Sequence, residues 1–152
     1  MLAGSGQGSW RRLLMKVLLT GAGGQLGQAL INATPEGIEL LASSRSGGDG
    51  LLALDLADTT ACRQVVAEHR PDWVLNAGDY TAVDNAETES ELAHAVNGGA
   101  PRAFAEAIQE HGGHLLQLST DFVFNGQQGS PYRVDQSGLP PVWWTPIRDP
   151  HG

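Results

Sequence analysis

From Met15 onward the chain switches repeatedly between two hydrophobic periods. Residues 16–20 form a short apolar run ending in glycines, the pattern of a parallel strand buried on both faces. Residues 25–33 place Leu26, Ala29, Leu30 and Ala33 at helical spacing. Residues 38–42 predict a second strand, and residues 51–55 a short extended piece. Residues 59–69 suit a helix with Thr59 or Asp58 as N-cap, and residues 73–76 the next strand. Two further helices are expected over 89–96 and 101–111, the second with Pro101 near its first turn and Gly112-Gly113 past its end. Residues 114–119 read as the last strand. Strands alternating with helices mean βαβ units, hence an α/β fold with a parallel sheet covered by helices on both faces.

The pattern fails at both ends. Residues 1–14 read as a loose, disordered leader, because Met15 opens the first strand as a natural start would. Residues 127–152 are rich in proline and glycine, carry Trp143-Trp144, and show no regular period. The expected division is therefore a leader over 1–14, a nucleotide-binding domain over 15–126 and an irregular tail over 127–152.

Composition narrows the function. At 152 residues the chain holds one domain. Its 9 Lys+Arg against 17 Asp+Glu give a net charge of −8, which argues against nucleic acid or an anionic membrane as partner. The single Cys62 excludes an internal disulfide and fits a reducing, cytoplasmic setting. The apolar run over residues 13–19 is too short to span a bilayer and contains Lys16. Glycine is the outlier, with 20 of 152 residues, so local backbone geometry is where chemistry is to be sought.

Thr20-Gly21-Ala22-Gly23-Gly24-Gln25-Leu26-Gly27 joins the first strand to the first helix. A dinucleotide pyrophosphate requires the positive end of a helix and bare backbone N–H groups. Gly21 suits the tight turn, Gly24 the backbone approach to phosphate, and Gly27 close helix packing, which makes the sheet Rossmann-like and doubly wound. The alternative is a purely structural turn. About 20 residues beyond such a loop an acid holds the ribose 2′-OH of NADH. No acid lies between Glu39 and Asp49; Ser43, Ser44 and Arg45 suit a 2′-phosphate, so NADPH is favoured while NADH stays possible. A solvated loop arginine is the alternative there. Asp55 with Leu56 could flank an adenine, or Asp55 or Asp58 could cap the helix that follows.

Two strand ends complete the constellation: Asn76-Ala77-Gly78-Asp79-Tyr80-Thr81 and Ser119-Thr120-Asp121-Phe122-Val123-Phe124. With MKVLLTGAGGQLGQAL, DLAD, RPDWVLNAGDYTAVDNAE, AVN and LLQLSTDFVFNG, the chain resembles the dTDP-4-dehydrorhamnose reductase family of the extended short-chain dehydrogenase/reductase superfamily, from Met15 to about Tyr132. The resemblance implies NAD(P)H-dependent reduction of a 4-keto sugar nucleotide in dTDP-rhamnose synthesis. It implies pyrophosphate contacts at Gly24, Gln25 and Leu26, a cofactor lining of Ala77, Gly78 and Tyr80, and a substrate site at Thr120 and Asp121. Thr120 would polarise the sugar carbonyl, beside a proton-donating Tyr four residues before a Lys. Homo-oligomerisation is left open.

The chain departs from that family in one place that matters. The family's interval from Thr120 puts the Tyr at Trp144 and the Lys at Arg148, with Pro146 between them; neither residue can replace its counterpart. Gly78-Asp79 also stands where the family has two alanines. The expectation is a truncated or frame-shifted cofactor-binding fragment with its carboxy-terminal substrate domain missing and little activity of its own. The other reading is a non-catalytic nucleotide-binding regulatory subunit. Remaining signals are weak. His111 and His114 flank a helix end rather than a metal site, Cys62 reads as a buried inert thiol, and Asp84, Glu87, Glu89 and Glu91 read as a solvated helix start.

Overall fold

A computed structural model describes residues 14–80, 89–119, 124 and 127–135. In chain order they form β1 (Met15–Thr20), α1 (Gln25–Asn32), β2 (Ile38–Ser44), β3 (Leu52–Ala53), α2 (Thr59–His69) and β4 (Trp73–Asn76). Then follow α3 (Ser90–His94), a π-helical turn (Ala95–Gly99), α4 (Ala100–Gln109) and β5 (His114–Gln117). Residues 127–135 carry neither helix nor strand.

All strand pairs are parallel and the sheet order is β3-β2-β1-β4-β5. This is the Rossmann-like doubly wound order, which grows outward from β1 in both directions. The chain thus moves one way from β1 to β3 and the other way from β3 to β5. Right-handed crossovers in opposite directions put α1 on one face and α2 with α4 on the other.

The second of those faces holds the core. Leu18 of β1 and Val74 of β4 pack with Cys62 and Val66 of α2 and with Ala103, Phe104, Ala107 and Ile108 of α4. Side chains alternate along a strand, so the α1 face takes Val17, Leu19 and their register partners Trp73 and Leu75. It is the thinner side: Leu116, which pairs with Leu75, is 49% exposed.

Local chemistry explains the element ends. Asp58 is the N-cap of α2, its Oδ1 accepting from the Thr60 and Ala61 amides at 3.0 Å each. Arg70 ends α2 with φ 46°, and Pro71 after it cannot continue a helix. The two helices expected over 89–96 and 101–111 are instead one unbroken helical run. Pro101 has no N–H for the Asn97 carbonyl four residues back; the run shifts to wider bonding, with the Ala100 amide on the Ala95 carbonyl, rather than breaking.

Candidate cofactor-binding site

The direction of the sheet reverses between β1 and β4, and a crevice opens at such a reversal beyond the carboxyl ends of the two strands. Thr20 and Asn76, the last residues of β1 and β4, are register partners, so the loops that follow start side by side. Gly21 has φ +69°, and a Cβ there would lie 2.6 Å from the Gly78 nitrogen and 2.7 Å from the Ala77 carbonyl carbon. Glycine is required both for the conformation and for the contact. The Gly24 amide closes the turn on the Gly21 carbonyl at 3.0 Å, and the Ala22 amide ties it to the Ser43 carbonyl of β2 at 2.9 Å. Gln28 adds a side-chain bond to the Ala22 carbonyl at 2.6 Å.

Gly24 is the N-cap of α1 and offers no side-chain cap, and the first turn holds no acid. The first amide to bond back along α1 is that of Gln28, so among the described residues the N–H groups of Gln25, Leu26 and Gly27 are the open donors at its positive end. The Gly24 amide is already engaged. A Cβ on Gly27 would lie 2.2 Å from the Gly21 carbonyl oxygen, so the close approach expected there is to the turn itself, not to the body of the sheet. Leu26 stays 46% exposed.

The loop after β3 reaches the same place. Leu56 Cδ1 sits 2.6 Å from where a Gly78 Cβ would be, which brings Gly21, Leu56 and Gly78 together. The capping alternative goes to Asp58; the Asp55 carboxylate accepts from the Ala57 amide at 3.0 Å, and the residue is exposed. At the end of β2, Arg45 is exposed, with no ion-pair partner among the described residues. The expectation for Ser43 is corrected. Its hydroxyl is 1% exposed and donates to the Leu19 carbonyl at 3.2 Å, so only Ser44 can accompany Arg45.

Tyr80 is gripped from the π-helical turn. Asn97 accepts from the Tyr80 amide at 2.8 Å and donates to the Tyr80 carbonyl at 3.4 Å. The Tyr80 hydroxyl donates to Glu89, which raises its pKa and keeps the phenol neutral. Burial likewise lifts the Asp79 carboxyl above its ordinary value. Neither Asn97 nor the buried pair Thr20 and Asn76 was singled out in the sequence. The visible signal was a polar residue at the end of an apolar strand and an asparagine inside a helix.

Thr120 and Asp121, expected at the substrate, lie outside the described residues, as do Trp144 and Arg148. Among the described residues no group of three His, Cys, Asp or Glu side chains could hold a metal, and no helix is long and apolar enough to cross a membrane. His111 contacts the Pro71 carbonyl at 2.9 Å, and His114 lies against the Trp73 ring at 4.7 Å. Cys62 is fully buried; burial, with the Asp58 and Asp55 charges behind it, pushes its thiol up to about 11.

The chain matches the family described as RmlD substrate binding domain over residues 15–143. It is 50% identical over 118 residues to a dTDP-4-dehydrorhamnose reductase of Streptomyces griseus, covering 78% of this chain and 37% of that one. It is 42% identical over 127 residues to a probable dTDP-4,6-dihydroxy-2-methyloxan-3-one 4-ketoreductase of Streptomyces antibioticus, covering 83% and 41%. A crystal structure of dTDP-4-dehydrorhamnose reductase from Bacillus anthracis in complex with NADP superposes with a TM-score of 0.72 at 34% identity, covering 83% and 43%. The chain thus spans about two fifths of the length of the relatives it matches.

Proposed function

Because the chain belongs to the RmlD substrate binding domain family, we propose that it is the NADPH-binding portion of a sugar nucleotide 4-keto reductase. The reaction proposed is conversion of dTDP-4-dehydro-L-rhamnose to dTDP-L-rhamnose, in dTDP-rhamnose biosynthesis. The observation that carries this reading is the glycine turn pressed against Ala77 and Gly78 beside an uncapped, acid-free helix start. Those residues fit an anionic dinucleotide: three open amides at a positive helix end suit a pyrophosphate, and a Cβ at Gly21 would close the turn. NADPH, when bound, supplies the hydride that reduces the carbonyl carbon.

The residues of the site divide the binding between them. Gln25, Leu26 and Gly27 hold the pyrophosphate through backbone N–H groups, with Gly24 shaping the approach. Arg45 takes the 2′-phosphate through charge-assisted hydrogen bonds. Asp55 and Leu56 flank the adenine, and Ala77, Gly78 and Tyr80 line the path toward the reacting end. Thr120 hydrogen-bonds the sugar carbonyl oxygen as negative charge develops there, and Asp121 contacts the sugar.

Proton delivery is where this chain differs. The Tyr80 hydroxyl donates to Glu89, and the Tyr132 ring stacks on Phe124 at 4.1 Å. Both tyrosines of the chain are thus engaged in local contacts. That favours binding without turnover, and supports the second reading of a nucleotide-binding regulatory subunit. Thermal shift and tryptophan quenching with NADPH test the site; no response at millimolar cofactor sinks the reading. NADPH oxidation with the 4-keto sugar nucleotide tests the chemistry. Little or no turnover by this chain alone is expected, and a rate within about tenfold of a full-length reductase overturns the claim of a missing proton donor.

A further inference from the structure

Three adjacent strands end in polar residues that are register partners across the sheet: Thr20 of β1, Asn76 of β4 and Gln117 of β5. Thr20 and Asn76 are each 1% exposed, whereas Gln117 is exposed. Their side chains form one directional chain of hydrogen bonds. The Gly78 amide donates to Thr20 Oγ1 at 3.4 Å, and the Thr20 hydroxyl donates to Asn76 Oδ1. Asn76 Nδ2 donates to Gln117 Oε1 at 2.6 Å, and Gln117 Nε2 donates to the Leu118 carbonyl at 2.6 Å.

The direction is forced at every step. The Leu118 carbonyl can only accept, so the Gln117 nitrogen faces it and the Gln117 oxygen faces Asn76. The Asn76 nitrogen therefore points to Gln117, which leaves its oxygen to take the Thr20 proton. No buried side-chain polar atom lacks a partner among the described residues. Removing the acceptor at 117 would strand a buried amide nitrogen, and the low local dielectric makes that costly.

We propose that Gln117 is a positioning residue. From the far strand it fixes the Asn76 amide, through it the Thr20 hydroxyl, and so the Gly78 amide that abuts the glycine turn. The same side chain ends on the Leu118 carbonyl, just past β5. The functional part of this inference rests on the cofactor reading above.

Two measurements on the whole chain test it separately. In the cofactor-free protein, amide exchange of Gly78 is compared in Gln117→Leu, Gln117→Glu and the neighbouring control Leu116→Ala. Gln117→Leu should raise Gly78 exchange about tenfold, because local opening of that bond becomes easier. Gln117→Glu keeps an acceptor for Asn76 but turns a carboxylate oxygen to the Leu118 carbonyl, and should raise Gly78 exchange clearly less than Gln117→Leu does. Equal Gly78 exchange in Gln117→Leu and Leu116→Ala, or a Gln117→Glu rate matching Gln117→Leu, would falsify the relay. In the second measurement NADPH titration should show about a three- to tenfold weaker Kd for Gln117→Leu and no change for Leu116→Ala, the size expected of residues coupled in one network. Wild type that binds no NADPH defeats the cofactor reading, and the exchange data then decide the relay alone. Wild type that binds while Gln117→Leu binds equally well overturns the positioning role.

Discussion

The glycine turn after β1 and the loop after β4 touch at the switch point, yet they are shaped by opposite means. The first is defined by side chains that are missing: a Cβ at Gly21 or Gly27 would collide with backbone at 2.6 and 2.2 Å. The second is held by side chains that are present, Asn97 gripping Tyr80 and the polar strand ends tying down Gly78. A surface built from backbone is set by the chain's own local geometry. One built from side chains depends on elements that arrive from elsewhere in the fold.

The sharpest way to break that contrast is at the turn. Gly21→Ala meets both the wrong φ and the Gly78 backbone, and should cost about 3 kcal/mol in urea unfolding and abolish NADPH binding. Gly23→Ala, where nothing lies within 4 Å, should shift stability by no more than about 0.5 kcal/mol. If the two variants unfold alike, the turn is not defined by close approach. Next in size, Asn97→Ala leaves the Tyr80 amide unpaired and should lower stability by about 1–2 kcal/mol, with a weaker effect on NADPH than at Gly21. An Asn97→Ala protein as stable as wild type would show that the grip on Tyr80 is incidental.

Arg45→Ala should raise the NADPH Kd about tenfold and leave NADH unchanged, since only the 2′-phosphate needs the guanidinium. Equal losses for the two cofactors would move the 2′-phosphate contact elsewhere. The mildest effect belongs to Cys62, whose Sγ lies 4.0 Å from the Asp55 and Leu56 carbonyls under the third loop of the crevice. Its folded pKa of about 11 stands above the ordinary 9.0, so the stability it contributes is complete below pH 9 and is lost as the pH climbs to 11. Cys62→Ala should flatten that alkaline decline; an unchanged pH profile would assign it to other groups.

Residues 59–69 and 73–76 were legible because local signals agreed: an aspartate ahead of a helical period, then a proline ahead of an apolar run. The glycine turn was legible for the same reason, since its spacing includes Gly21 and Gly27, the two positions of the turn where a Cβ would collide with backbone. The merging of two expected helices was not, because a π-helical turn forms only where bonding on both sides outweighs a break at Pro101. Ser43 misled in a related way. Its place next to Arg45 suggested a ligand, and only sheet pairing shows its hydroxyl turned to the Leu19 carbonyl.

By itself the sequence determined the alternating α/β order, the place of the glycine turn and the family, all of which follow from period, glycine spacing and short strings of residues. The tertiary structure decided what meets what. Leu56 reaching Gly78, Asn97 holding Tyr80 across 17 positions, and Gln117 reaching Asn76 across 41 are contacts between segments with no local signature. They exist because a parallel sheet brings loops and strand ends that are distant in the chain to one edge, where the buried Asn76 amide must find partners from neighbouring strands.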